Sequence, residues 1–395
     1  MLKILHLVYQ SWPNSAGSSI RTENILRAQR GAGLDVHVIS SPGQAANNPA
    51  CNLTSEVHLG TTYHRTHFFP GLTVGKQKSF LNRIGKVLAF PYFVWRVFIL
   101  SRKEKPDIIH AHAMFYCGIA ALVTGRLLNI PVTYEVRSLW YNNSHAGLSR
   151  IPRFLGSILE RFVVRRADAF VGISDGIMHA FEDVRRDGVV VRNAVFKEDV
   201  RPVESLSSSR SINSFGYIGS VIDLEGLDFV IEAFSHVKRS GINFEFHIIG
   251  DGSALPTLKQ LAMKLDVPVH FYGRVQFSDI VKYYDLLDCV INYRRDEPVA
   301  HDVTPLKPLE AIALGKLLIC SDVGGMIEIL GGQDNAIFVP SNDSVSLANA
   351  ISKVVQAEVD TYSVKLRATQ FVLSNRSWEV NVKNYVELYQ FIANK

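Results

Sequence analysis

Cysteine is scarce in this chain of 395 residues: Cys51, Cys117, Cys289 and Cys320 lie far apart, with no C-x-x-C pair and no histidine at zinc-finger spacing. That pattern argues against a disulfide framework or a zinc module and points to reduced thiols in a cytosolic protein. Long apolar runs are missing too, since none reaches the roughly 18 residues that a membrane span requires. The opening MLKILHLVYQ carries no small-residue cleavage site and reads as a buried first strand. The formal net charge of +5 is mild for this length and excludes the concentrated basicity of a nucleic-acid binder. There is no Asp-x-Asp, no Walker lysine, no full G-x-G-x-x-G and no H-E-x-x-H. These absences remove a metal-held nucleotide site, a P-loop and a zinc protease from consideration.

What is present is a well-buried composition, 47% apolar and only 20% charged, too long for one ordinary core. Short β-branched runs alternate with helical patterns: KILHLVY, a helix over 22–30, DVHVIS, DIIHAH, a helix through CGIAALVTGRLL, PVTYEV, DAFVGIS and VVVRNAV. Such alternation builds βαβ units on a parallel sheet. A polar, serine-rich stretch at 197–213 interrupts the rhythm and reads as a linker between a first domain, 1–196, and a second, 214–374. The second series runs SFGYIGS, FEFHIIG, VHFYG, DCVINY and LLICSD with helices between. Residues 375–395 form an amphipathic helix that is expected to cross back to the first domain. Loops at 41–75 and 140–150 carry no readable code.

Open parallel sheets bind ligands at the carboxyl ends of their strands. Three strand ends in the second domain carry small residues, at YIGS (Gly219), IIGDGS (Gly252) and YGRV (ending at Val275). The segment HDVTPLKPLEAIALG (301–315) then gathers Asp302, Lys307 and Glu310 where a loop hands over to a helix, with prolines suited to a first helical turn. A lysine at a helix start suits a phosphate, and a carboxylate suits ribose or sugar hydroxyls. Arg294 and Arg295, after DCVINY, lie at the same sheet edge and suit multidentate phosphate contacts. The plainer readings, a capped helix with solvated charges and ordinary βα turns, stay open at this point.

These residues carry a resemblance. NSAGSSIRTENIL with Gly17, PDIIHAH, ADAFVGIS, RNAV, IIGDGS and above all DVTPLKPLEAIALGKLLICSDVGGMIEIL resemble glycosyltransferase family 4, across almost the whole chain. YEVRSLW (134–140) with VTPLKPLEA is similar, more narrowly, to transferases of bacterial exopolysaccharide clusters. The resemblance implies an α/β GT-B fold, two Rossmann-like domains facing across a cleft. It also implies a retaining, metal-independent sugar transfer from a nucleotide-diphosphate donor, UDP or GDP, with no further cofactor.

By the same resemblance, Glu310 binds the ribose, Asp302 contacts donor-sugar hydroxyls, and His112 lies near the reacting carbon. Gly17, Ser18, Gly219, Gly252, Val275, Leu306, Lys307, Arg294 and Arg295 surround the donor, and Glu135 and Arg137 stand on the acceptor side. One departure stands out: Ser220 and Glu225 occupy positions where the family has an arginine and a lysine that grip the diphosphate. Lys307 with Arg294 or Arg295 is expected to supply the missing charge.

For the acceptor, a glycan or a lipid-linked sugar is implied. Residues 75–105 join apolar and aromatic residues to flanking Lys76, Lys78, Arg83, Lys86, Arg102, Lys103 and Lys105, a composition suited to an anionic membrane interface at the cytoplasmic face. A buried helix with a basic rim is the alternative. Two other functions stay open, a GT-B nucleotide-sugar epimerase and a catalytically silent scaffold or nucleotide sensor.

Overall fold

The computed structural model describes residues 1–14, 16–44, 54–66, 80–142, 150–202 and 212–394, with the backbone alone at 80–87, 142, 150 and 277. Cys51, Lys76, Lys78, most of the expected linker and the side chains of Arg83 and Lys86 lie outside them. The chain forms two compact units, Met1–Val191 with Asn381–Lys395, and Arg192–Val380.

In the first unit the order is β1 (Lys3–Val8), α1 (Gly17–Gly31), β2 (Asp35–Ser40), β3 (Ser55–His58), β4 (Thr61–Arg65), α2 (Phe80–Glu104) and β5 (Ile108–His112). There follow α3 (Phe115–Leu128), β6 (Val132–Val136), α4 (Arg150–Arg166), β7 (Ala169–Gly172), α5 (Asp175–Ala180) and β8 (Val189–Val190). The sheet runs β3-β4-β2-β1-β5-β6-β7-β8, and only the β3–β4 pair is antiparallel. The central strands β1, β5 and β6 are buried along nearly their whole length, their polar residues included, as strands covered on both faces are. Strand order reverses between β1 and β5, where His6 pairs with His110 in register.

The second unit contains β9 (Ser214–Ile218), α6 (Leu227–Arg239), β10 (Glu245–Ile249), α7 (Leu255–Lys264), β11 (Val269–Gly273), α8 (Ile280–Asp285), β12 (Cys289–Asn292), α9 (Pro298–Asp302) and α10 (Lys307–Ala313). It continues with β13 (Leu317–Ser321), α11 (Gly324–Leu330), β14 (Ile337–Val339), α12 (Ser344–Val355), α13 (Thr361–Asn375) and α14 (Trp378–Ala393), whose residues from Asn381 onward belong to the first unit. Its six strands are all parallel, ordered β11-β10-β9-β12-β13-β14, and the order reverses between β9 and β12. Alternate strand residues serve opposite cores: Phe215, Ile291 and Ile319 pack with α6 and α12, whereas Ile218, Val290 and Leu318 pack with Leu309, Met326 and Val372. Asp343 and Asp360 cap α12 and α13 by accepting from backbone N–H groups one turn on.

The structure differs from the sequence reading in four places. Helix α1 begins at Gly17 rather than 22. A β3–β4 hairpin lies inside the stretch read as an uncoded loop. The expected strand VVVRNAV shrinks to Val189–Val190, and Val195 instead bonds to Arg376 and Trp378 in the second unit, so the units divide ahead of residue 196. Asp302 ends a short helix of its own, because Pro298 starts a turn that the later run of helix formers obscured. Cys117, Cys289 and Cys320 are free and buried, and among the described residues no helix is long and apolar enough to cross a membrane.

Candidate functional site

The second unit gathers charge where its strand order reverses. Strand β9 runs into Gly219, and after exposed Ser220 the chain turns so that the buried Glu225 carboxylate lies beneath the start of α10. Its Oε1 lies 2.9 Å from Lys307 Nζ and 3.7 Å from an Arg294 Nη2. Lys307 Nζ also donates to the Tyr217 hydroxyl and sits 4.6 Å above that ring, and the hydroxyl donates to the Ser220 carbonyl. Burial would raise the Glu225 pKa, but Lys307 and then Arg294 hold it below the ordinary carboxylate value. The Lys307 pKa is lowered by burial, which outweighs the pull of Glu225. A Cβ at Gly219 would overlap Lys307 Cε, so only glycine lets the lysine lie across the strand end.

Arg294 is 92% buried by its 8% exposure. Its Nη1 donates to the Val303 carbonyl and its Nε meets no partner. Arg295 turns elsewhere, donating to the Asp223 carbonyl, pairing with Asp228 and covering the Phe229 ring. The structure therefore brings Arg294, and not Arg295, to Lys307. Glu310, half-buried one turn into α10, has its pKa raised by burial against the pull of Lys307 and lies beside Tyr284. Leu306 precedes α10 without a side-chain cap, and α10 is only seven residues long. Positive charge at this edge thus comes from Lys307 and Arg294 more than from a helix dipole. Gly252 packs its backbone against Val221, where a Cβ would overlap the carbonyl. Val275 packs on the core group that holds Leu309, and Asp302 is half-buried at the end of α9.

In the first unit a buried polar network lies under the ends of β1, β5 and β6. Glu135 accepts from Arg21 Nε at 3.1 Å, Arg137 Nε at 2.8 Å and the Tyr385 hydroxyl at 2.5 Å. Those arginines hold its carboxyl well below the usual range although burial acts the other way. The donor types then fix the tautomers of His112 and His6. Arg137 can only donate, so His112 Nδ1, 2.6 Å away, accepts and its Nε2 carries hydrogen. That hydrogen goes to His6 Nδ1 at 2.8 Å, and His6 Nε2 donates to Gln29 Oε1 at 2.8 Å. Gln29 Nε2 donates to the Tyr389 hydroxyl at 2.9 Å, which is hydrogen-bonded to His110 Nδ1 at 2.5 Å.

His112 is 1% exposed with both ring nitrogens engaged. Burial first, and then Arg137, push its pKa down to about 4. The hydrogen bond from Arg137 ties the orientation of the two side chains together. His6, His110 and His112 are close enough to offer a metal three ligands, but the Nδ1 lone pairs of His6 and His112 already accept hydrogen bonds. Arg137 reaches outward to the Ser18 carbonyl at 3.0 Å and Thr22 Oγ1 at 2.8 Å, and Gly17 and Ser18 are exposed at the start of α1.

The sequence reading missed Arg21, His6, His110, Gln29, Tyr217, Tyr385 and Tyr389. His110 had a signal, since it shares a strand face with His112 two residues on. The others meet partners far away in the chain.

Two parallel-sheet units, each with polar groups gathered at a strand-order reversal, define the GT-B class of glycosyltransferase. Family profiles agree: a glycosyl transferase 4-like domain matches residues 16–194, and the group 1 glycosyl transferases match residues 212–357. The chain belongs to glycosyltransferase family 4. It is 21% identical over 295 residues to a glycogen synthase of Thermodesulfovibrio yellowstonii, covering 72% of this chain but only 57% of that protein. Among solved structures it is similar to sucrose-phosphate synthase from Thermosynechococcus elongatus, with a TM-score of 0.78 at 16% identity over 100% of both chains. It is also similar to Anabaena HepE in complex with UDP, with a TM-score of 0.74 at 16% identity over 99% of this chain and 100% of that one.

Proposed function

We propose that the protein is a retaining glycosyltransferase that moves a sugar from a nucleotide-diphosphate donor, UDP-linked in the first instance, to a glycan or lipid-linked acceptor in bacterial cell-surface polysaccharide synthesis. The observation that carries this reading is the convergence of Lys307 and Arg294 on the strand-order reversal of the second unit, with Glu310 one turn away. The UDP bound by HepE supports the choice of nucleotide.

The bond from the anomeric carbon to the diphosphate oxygen breaks while a bond to the acceptor oxygen forms on the same face. The acceptor proton passes to the departing diphosphate. The transition state is oxocarbenium-like, so the protein's main task is to stabilise charge growing on the leaving group. Lys307 and Arg294 supply that charge without a metal ion. Glu310 accepts from ribose hydroxyls and Asp302 from sugar hydroxyls. In the first unit, Arg137 is the outward end of the network and contacts the acceptor side, with Glu135 fixing its guanidinium plane.

The test is thermal unfolding with UDP, GDP, ADP and CMP, each at about 1 mM, for the parent protein, Lys307→Ala and Glu310→Ala. A site with a dissociation constant near 10 μM stabilises by roughly 2.7 kcal/mol at that excess. A shift with UDP that both variants lose is the expected result. Absence of any shift would sink the donor reading and favour a silent scaffold, for which the neutralisation of Lys307 by Glu225 already gives a physical reason.

A further inference from the structure

A surface helix buries one apolar stripe and turns polar residues to water. Helix α4 does not. Its inner face is Gly156, Glu160, Val163 and Val164, all buried, while Ile151, Phe154, Leu155, Ile158 and Phe162 are exposed along the opposite side. Ile151 is 73% and Phe154 68% exposed. The spacing of three, four, seven and eleven residues from Ile151 keeps these side chains on one outward stripe.

The pattern recurs on neighbouring helices. Helix α3 packs against both α2 and α4, so the three form a row. The outward side of α2 carries Leu88, Pro91, Trp95 and Ile99, and that of α3 carries Val123 and Leu127. Each helix ends in exposed cations: Arg102 and Lys103 on α2, Arg126 on α3, Arg165 and Arg166 on α4. The acids of these helices are Glu104 and Glu160. Glu104 pairs with Lys3 and Lys103, and Glu160 is buried against Tyr134, Trp140 and the Phe115 N–H.

We propose that the outward face of α2, α3 and α4 is a docking surface for an anionic lipid bilayer, entered by the apolar side chains and held by the basic helix ends. Large apolar groups next to exposed cations, with no exposed acid on the three helices, complement an interface that is apolar below and negatively charged above. A second copy of the chain is the poorer partner, because the three helices present no exposed acid to meet these cations across a self-complementary contact. The surface reaches past residues 75–105 to α3 and α4, and it does not depend on the transfer reaction.

Flotation of the full chain with phosphatidylcholine vesicles, with and without about one third phosphatidylglycerol, tests it at low and high salt. The expected result is binding to the anionic vesicles alone, weakened by salt. Ile151→Ser combined with Phe154→Ser lowers the bound fraction about tenfold or more. Arg165→Gln combined with Arg166→Gln lowers it roughly fivefold per arginine. All four positions are exposed, so thermal midpoints and the UDP shift stay at the parent values, which separates this surface from the donor site.

Failure to bind anionic vesicles, or binding unchanged in both variants, overturns the proposal. So does a concentration-dependent dimer in sedimentation velocity that Ile151→Ser with Phe154→Ser dissolves while vesicle binding is absent. That outcome assigns the face to a second copy.

Discussion

Glu225 stands where a diphosphate-gripping cation is expected, and its pairing with Lys307 makes an opposed pair of variants informative. Lys307→Met leaves the Glu225 carboxylate, 5% exposed, with Arg294 alone at 3.7 Å. Breaking a buried pair by removing one partner costs about 3–5 kcal/mol, and each kcal/mol moves the midpoint of a unit of this size by ~2–4 °C. Glu225→Gln costs less, about 1–3 kcal/mol, because the amide oxygen still accepts from Lys307. Both variants therefore melt earlier without ligand. With a nucleoside diphosphate they part company. Losing the Glu225 charge removes one repulsion on the phosphates, worth ~1.4 kcal/mol for unit charges about 6 Å apart at an effective dielectric constant of about 40, a tenfold gain in affinity. Lys307→Met loses the attraction instead. The assay is the midpoint shift with UDP, titrated to a dissociation constant. A Glu225→Gln variant that binds UDP more weakly than the parent would refute the reasoning, and would mean that the orientation of Lys307 by Glu225 outweighs its charge.

Gly219→Ala is expected to keep the fold but displace the Lys307 side chain, since the new Cβ overlaps Lys307 Cε. The UDP-induced midpoint shift should shrink to less than half, and a full shift would show that the lysine has room to move. Acid should weaken the first unit through its histidines. The His112 pKa is pushed down to about 4 by burial and Arg137, and burial lowers His6 and His110 as well. An unfolded imidazole takes its proton near pH 6.5, so stability is complete above that value. It falls as pH drops toward 4, by ~1.4 kcal/mol per pH unit for each ring. Midpoints measured from pH 7 to pH 5 should decline, more shallowly in His110→Gln, and a flat profile would contradict the neutral state of these buried rings.

The parallel sheets were legible because strands such as KILHLV and DIIHAH are short apolar runs between helical periods, and that contrast needs no distant information. Helix α9 was not, since Pro298 to Asp302 is a single turn whose polar residues look like loop. The hairpin of β3 and β4 escaped because SEVH and TTYHR are too short and too polar to stand out. At the site, Lys307 and Glu310 announced themselves by chemistry at a helix start. What remained hidden was pairing: nothing in GSVIDLEG says that Glu225 faces Lys307 rather than water, because register and turn geometry, not local sequence, decide that contact. Arg21 and Tyr385 were hidden for the same reason, each meeting Glu135 across a long stretch of chain. The outward stripe of α4 has ordinary amphipathic spacing, and only its burial shows that the apolar side is the one facing out.

The hydrogens of the first unit's network run one way from Arg137 through His112, His6 and Gln29 to Tyr389, and Tyr389 bonds to His110, whose Nε2 lies 3.5 Å from Glu135. The fifth member, Tyr389, is made after the whole second unit. At about 5–20 residues per second, the strands of the first unit wait roughly 10–40 s on the ribosome before that phenol arrives. During that interval Gln29 and His110 lack the group that joins them. The first unit to be synthesised is thus the last to be locked, and the lock is a few residues of tail that arrive once its partner unit is already made.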